Sequence, residues 1–287
     1  MSRGFSSQMA SSRAWKFDWQ NRSHRIGASS EVILSAGAIN TPKILMLSGI
    51  GDRAELQRHG ISVATHVPGV GRNLQDHPII GSALWQSPEP ISPRNNSAEA
   101  NLFAQSRPGL DRPDLHIWQI EVPYLSEATG RFAAANTWSL TPGLVRPASR
   151  GRIQLRSSDP YAAPVIHPNM LQAPEDLAAL REGMRISREI ANSPIMSPFV
   201  AREVLPGNAA GEELDDLIRA GAMSMHHPTS TAMMGQDDHS VVDAELRVRD
   251  IKRLRVADAS IMPSITTGNT HAPCVIIGER MAEILRA

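Results

Sequence analysis

The run Glu31-Val-Ile-Leu-Ser-Ala-Gly37 constrains the fold of this chain more than any other stretch. It is short, apolar through its middle and closed by small residues, the pattern of a strand buried on both faces. The next residues read as a helix. Asn40 or Thr41 is placed to serve as its N-cap, with Pro42 at the first helical position, and Gly49 and Gly51 stop it. A second helix is predicted over about 52–59, with Ala54 and Leu56 as its apolar residues and Gly60 as its stop. Residues 61–67 read as a strand.

Downstream the character changes. Pro68-Gly-Val-Gly-Arg-Asn-Leu-Gln-Asp-His77 holds too many turn formers for a helix or strand and predicts an ordered loop. Beyond it prolines are frequent, and strand-like pieces stand at 116–122, 137–144 and 151–156, as in an antiparallel sheet with long connections. Residues 174–192 form the clearest helix. Glu175 and Asp176 lie in its first turn, and apolar residues recur at Leu177, Leu180, Met184 and Ile186. Another helix is expected over 211–220, strands over 240–248 and 254–257, and a last helix over 272–285. The first 25 or so residues show no clean period and read as an irregular N-terminal segment. The order α/β, then mostly β, then α, then α/β again predicts two intermingled domains, with the C-terminal part returning to the first.

Bulk properties narrow the function. Lys+Arg and Asp+Glu each number 29, so the formal net charge is zero and nothing argues for nucleic acid or an anionic surface as partner. One cysteine, Cys274, leaves no intramolecular disulfide and no cysteine-based zinc site. No apolar run reaches the roughly 20 residues that span a bilayer. The polar start, Met1 to Ser30, lacks the apolar middle of a secretory signal, and a cytoplasmic location is expected. Acidic residues are scarce there, which is also a property of transit peptides.

Two polar turns near the end carry the chemistry. Ser224-Met-His-His-Pro-Thr-Ser-Thr-Ala-Met-Met-Gly235 sets adjacent imidazoles before a proline, and Gly268-Asn-Thr-His-Ala-Pro273 adds an amide and another imidazole. A neutral histidine is the usual side chain for taking a proton near pH 7. The alternative is a loop pair with one satisfied core imidazole. A metal site would need further ligands; Asp237, Asp238 and His239 are near in sequence but fall in a polar turn, so no metal is assigned. A serine hydrolase would need a Gly-x-Ser-x-Gly elbow, and none is present. Ala36 and Gly37, at the end of the first strand, let a cofactor approach the backbone, or belong to an ordinary strand-turn-helix unit. Asp258 ends a short strand and either accepts from a ribityl or ribose hydroxyl or caps the next helix.

Together these segments resemble the glucose–methanol–choline (GMC) family of flavin-dependent alcohol oxidases and dehydrogenases, with a choline-dehydrogenase-like tone. Gly37-Ala-Ile-Asn-Thr-Pro-Lys-Ile-Leu-Met-Leu-Ser-Gly-Ile-Gly51 matches the family's second signature, and Pro68–His77 matches the loop after it. Arg146-Pro-Ala-Ser-Arg-Gly-Arg152, Asp159-Pro160, His227-Pro228 and Asn269-Thr-His-Ala-Pro273 come after these in order. The match runs from about Ile26 to the C-terminus.

The resemblance implies FAD as cofactor and an alcohol as substrate, oxidised by hydride transfer to the flavin with a histidine as base. It implies His227 as that base and Asn269 as the second catalytic residue, with His271 against the flavin end or itself the partner imidazole. It sets Asp258 and Ala259 beside the ribityl and pyrophosphate region, and Ala36 and Gly37 near the adenosine half. It implies a fold of class α/β plus α+β, an incomplete FAD-binding α/β domain intermingled with an antiparallel-sheet substrate domain. The segmentation is 1–25 irregular, 26–77 partial FAD-binding, 78–222 substrate-binding, and 223–287 active-site turns and return.

The family's opening Gly-x-Gly-x-x-Gly turn is missing, since Gly49-Ile-Gly51 and Gly69-Val-Gly71 lack a third glycine. The chain therefore reads as a fragment whose N-terminal FAD-binding half is a missing partner. The competing reading is a catalytically inactive remnant that binds a small molecule or a partner.

Overall fold

The structure is a computed structural model and describes residues 2–7, 12–20, 22–94 and 96–286. The chain opens with β1 (Ser2–Ser7), β2 (Ser12–Trp19), β3 (Arg22–Gly27), β4 (Val32–Leu34), α1 (Gly37–Leu47), β5 (Ile50–Gly51), α2 (Arg53–Arg58) and β6 (Thr65–His66). Then come β7 (Pro78–Ile80), β8 (Leu84–Gln86), β9 (Ala100–Ala104), β10 (Leu115–Ile120) and β11 (Thr137–Leu144). A short pair, β12 (Arg152–Gln154) and β13 (Val165–His167), precedes α3 (Pro174–Ala191), β14 (Arg202–Leu205), α4 (Gly211–Gly221) and β15 (Ala222–Ser224). The last elements are β16 (Leu254–Val256) and α5 (His271–Arg286).

These elements fall into two compact units. One takes Met1–Gln75, Arg150–Asn169 and His227–Ala287; the other takes Asp76–Ser149 and Met170–His226. The segmentation expected from sequence kept 78–222 together, whereas Arg150–Asn169 packs with the first unit. The reason is local. Gly151 exchanges backbone hydrogen bonds with Leu74, at 3.0 and 2.8 Å, and the Ile153 amide donates to the Gly71 carbonyl at 2.7 Å. Gly71 has φ +78°, and a β-carbon there would stand 2.4 Å from the Ile153 carbonyl oxygen, so no other residue fits without a backbone shift.

In the first unit the supposedly irregular start is a three-stranded antiparallel sheet in the order β1-β2-β3. The expectation of irregularity was wrong because it missed a period of two: Trp15, Phe17 and Trp19 alternate with Lys16 and Asp18. β4 pairs in parallel with β16, Val32 to Leu254 and Leu34 to Val256. Leu34 is buried but Ile33 is 38% exposed, so β4 is covered on one face and not on both as expected. The core gathers Leu34, Leu45, Met46, Ile50, Leu56, Val241, Val242, Leu254 and Val256.

Three local expectations fail in this unit. α1 begins at Gly37, upstream of the predicted cap at Asn40 or Thr41, and Pro42 lies inside it. Pro42 has no amide to give the Ala38 carbonyl, which would ordinarily break the ladder. The buried Thr231 hydroxyl supplies the missing donor, 2.6 Å from that oxygen. Only Thr65–His66 of the predicted 61–67 strand is a strand. Residues 240–248 make only isolated bridges, because the Asp243 carboxylate accepts from the Glu245 and Arg247 amides and folds the backbone into a turn.

The second unit is a seven-stranded sheet with the path β14-β8-β11-β10-β9; β7 joins it through β11 and carries β15. The pairings within it are antiparallel. α3 lies on this sheet and buries Leu177, Leu180 and Met184 among Trp85, Leu115, Trp138 and Leu144. The Asp176 carboxylate in its first turn accepts from the Ala148 and Ser149 amides at 2.7 and 2.9 Å, which pins the segment after β11.

Candidate functional site

The segment after His227 is held on three sides. The Gln75 and Thr229 backbones pair, N–H to C=O, at 3.3 and 2.9 Å. The Ser230, Ala232 and Met234 amides donate to the carbonyls of Ala259, Ser260 and Ile261 at 3.1, 2.8 and 2.8 Å. The Gly71 amide donates to the Thr231 carbonyl at 2.8 Å, and the Thr231 side chain reaches α1. Thr229, Ser230 and Thr231 are fully buried. Small residues stand there because the strip is threaded between neighbours, and hydroxyls serve because each finds a partner. Thr229 Oγ1 donates to the Gln75 carbonyl at 3.4 Å and Ser230 Oγ to Thr229 Oγ1 at 3.0 Å. His227 emerges half-buried from this clamped strip.

The two imidazoles are not equivalent. His226 is exposed at φ +62°, a left-handed conformation, and belongs to the second unit; the boundary falls between it and His227. Its amide donates to Ser224 Oγ at 2.8 Å, and that hydroxyl donates to Asp76 Oδ2.

The sequence-predicted cofactor residues converge. β4 and β16 are adjacent parallel strands, and their carboxyl ends deliver Ala36-Gly37 and Asp258-Ala259 to one edge. Asp258 joins them. Its Oδ2 accepts from the Gly37 amide at 3.0 Å and from Thr41 Oγ1 at 2.6 Å, and its Oδ1 accepts from the Ser260 amide at 2.8 Å. Thr41 Oγ1 in turn accepts from the Ala36 amide at 3.2 Å. Asp258 thus caps the short 3-10 turn Ala259–Ile261, the capping role weighed for it, and also puts a carboxylate at the positive end of α1. A carboxylate offers about four lone-pair sites, so one on Oδ1 stays open to a ligand hydroxyl. A β-carbon built on Gly37 meets nothing within 4 Å, so a flat group can lie against the backbone there. Ala259 ties this edge to the His227 strip through the Ser230 amide.

Asn269 and His271 are exposed in the same unit, His271 as the first residue of α5 and Asn269 just before it. Gln75 holds the segment that leads into their turn. The Gln75 Oε1 accepts from the Ile265 amide at 3.2 Å and its Nε2 donates to the Pro263 carbonyl at 3.4 Å. Sequence reading passed over Gln75 and gave Thr41 only as a candidate N-cap, not as a partner of Asp258; a lone amide in a turn-rich loop carries no distinctive local signal, and a threonine near a helix start does not show which distant carboxylate it meets. Cys274, in the first turn of α5, has its thiol pushed above the usual range, mainly by burial and also by the negative charge of Asp258. Among the described residues no group of three or more His, Cys, Asp or Glu is arranged to hold a metal ion.

Comparison with known proteins supplies the family. Profiles described as GMC oxidoreductase match residues 8–79 and 147–278. The first begins well before Ile26, so the N-terminal sheet falls largely inside the family match. Choline oxidase of Arthrobacter globiformis is 42% identical over 273 residues, 92% of this chain and 50% of that protein. Alcohol dehydrogenase [acceptor] of Pseudomonas putida is 40% identical, over 90% of this chain and 51% of its own. The crystal structure of pyridoxine 4-oxidase from Mesorbium loti superposes with a TM-score of 0.94 at 31% identity, covering 98% of this chain and 56% of that one. The chain spans about half the length of the curated relatives it matches. Both halves of the matched pattern, and the fold they share with a solved relative, place this chain in the GMC oxidoreductase family.

Proposed function

We propose that this chain carries the base-bearing, substrate-side part of an FAD-dependent oxidoreductase acting on the CH–OH group of a small alcohol. The observation that carries this reading is the edge formed by β4 and β16. Ligands of open α/β sheets lie outside the carboxyl ends of parallel strands, and here two adjacent strand ends present Ala36-Gly37 and Asp258-Ala259 with the His227 strip bonded to them. Ala36 and Gly37 form an open ledge for the nucleotide, and Asp258 Oδ1 is the acceptor for a hydroxyl of its sugar chain. The Gly37 amide is already held by Asp258, so the phosphates take their donors elsewhere. We place those donors in the part of the longer relatives that this chain does not span, in the same or a second polypeptide.

When bound, the flavin supplies the two-electron acceptor for the alcohol's carbon-bound hydride. His227 takes the hydroxyl proton as that bond breaks, and the clamp on Thr229 to Met234 fixes where its imidazole stands. Asn269 donates to the substrate oxygen, and His271 borders the flavin. The relatives named above act on choline, alcohols and pyridoxine, and a small hydroxymethyl or secondary alcohol is the substrate class.

The test begins with absorbance spectra of the purified chain with and without added FAD, alone and joined to the part of a relative that it does not span. The joined form is expected to retain flavin and to bleach with alcohol. In that form His227→Ala should lower turnover by roughly two orders of magnitude with the melting curve little changed. Unchanged turnover moves the base to His226 or His271, and a joined protein that binds no FAD sinks the reading.

A further inference from the structure

We propose that Gln75 is a positioning residue that sets the spacing between the two candidate catalytic turns. The roles of His227 and Asn269 rest on the flavoenzyme reading above; the clamp is a property of the chain by itself. Gln75 is 2% exposed, and its main chain and side chain serve different segments. The main chain pairs with Thr229, two residues past His227, through the N–H of each and the C=O of the other. The side chain holds the approach to Asn269. Its Oε1 takes the Ile265 amide at 3.2 Å, and its Nε2 reaches the Pro263 carbonyl at 3.4 Å and Asn73 Oδ1 at 3.2 Å. Asn73 reinforces this by donating from Nδ2 to the same Pro263 carbonyl at 3.3 Å.

One residue therefore spans from the His227 strip to the Pro263–Ile265 segment that leads into the Asn269 turn, and its chemistry is specific. The job needs a neutral side chain of this length with a donor and an acceptor on one carbon, which only a primary carboxamide offers. Glutamate keeps the acceptor but loses the donor and brings a charge into a buried place. Methionine keeps the length and loses both. Because a side-chain substitution cannot remove the Gln75 amide or carbonyl, it should release the Asn269 side and leave the His227 side bonded.

That asymmetry gives a readout independent of turnover. Amide hydrogen exchange at Ile265 and Thr229 is compared by NMR in the wild-type chain, Gln75→Met and Gln75→Glu. Exchange at Ile265 should rise roughly tenfold in Gln75→Met and by less in Gln75→Glu, while Thr229 stays within about twofold. Unchanged Ile265 exchange in both variants overturns the proposal, as does equal acceleration at both amides, which marks a general loosening. In the FAD-loaded enzyme kcat should fall roughly tenfold in Gln75→Met with a smaller change in KM. If exchange responds and kcat does not, Gln75 is structural only and the proposal fails. If exchange responds and the wild-type enzyme never oxidises an alcohol, the flavoenzyme reading fails while the spacing role stands.

Discussion

At the scale of single residues, Asp258 and Cys274 are coupled. The same carboxylate that holds Gly37, Thr41 and the Ser260 amide also disfavours a thiolate at Cys274, second to burial of the thiol. A thiol whose pKa is higher folded than unfolded favours the fold below its unfolded value, and that contribution is lost as pH rises through the folded one. Stability should therefore sag at pH above about 9. Cys274→Ser should flatten that fall in denaturation measured across alkaline pH. Iodoacetamide should label Cys274 slowly at neutral pH. His227 could be singled out as a candidate because two imidazoles before a proline stand out in any sequence. Gln75 was not, because its importance lies in which distant backbone groups its amide meets.

Among the elements, α1 shows how a sound local rule leads astray. Proline favours the first position of a helix, and by that rule the helix begins at Pro42. It begins at Gly37 because Asp258 and Thr231 reach in from far along the chain, one holding the first amide and the other replacing the donor that proline lacks. Thr231→Val should then cost about 1–3 kcal/mol by leaving the Ala38 carbonyl buried without its donor. In a Pro42→Ala background the new amide at 42 serves that carbonyl, and the same substitution should cost roughly 1 kcal/mol less. Equal costs in the two backgrounds, measured by urea denaturation, would show that the pairing does not exist. By contrast α3, α4 and β11 were readable because their signals are local: acidic residues in the first helical turn and an apolar stripe for the helices, and for β11 the run Thr137-Trp-Ser-Leu-Thr141, which the strand carries on through Pro142 and Gly143. α5 was readable too, yet Val275, Ile276 and Leu285 on it are 51%, 67% and 49% exposed, so its apolar character is only partly used within this chain.

On the scale of the whole molecule, the chain passes between the two units after residues 75, 149, 169 and 226. The sequence displayed this interleaving in outline, through its return to α/β patterning at the end. It hid the middle return at Arg150–Asn169, which depends on the single-residue fit of Gly71 against Ile153. No cut into consecutive halves respects both units. A chain ended at residue 240 keeps β4 and α1 but loses β16 and Asp258, and its first unit should show neither a cooperative melt nor protected amides at Ile44 and Leu45. Protection surviving there would mean that the N-terminal elements fold by themselves.

The β4–β16 pairing also sets a clock on birth. Leu34 and its partner Val256 lie roughly 220 residues apart along the chain. At about 5–20 residues per second, a ribosome needs on the order of 10–45 s to make that stretch. For that time Ile33 and Leu34 are outside the exit tunnel with no strand to join, as attractive to a chaperone as to another nascent chain.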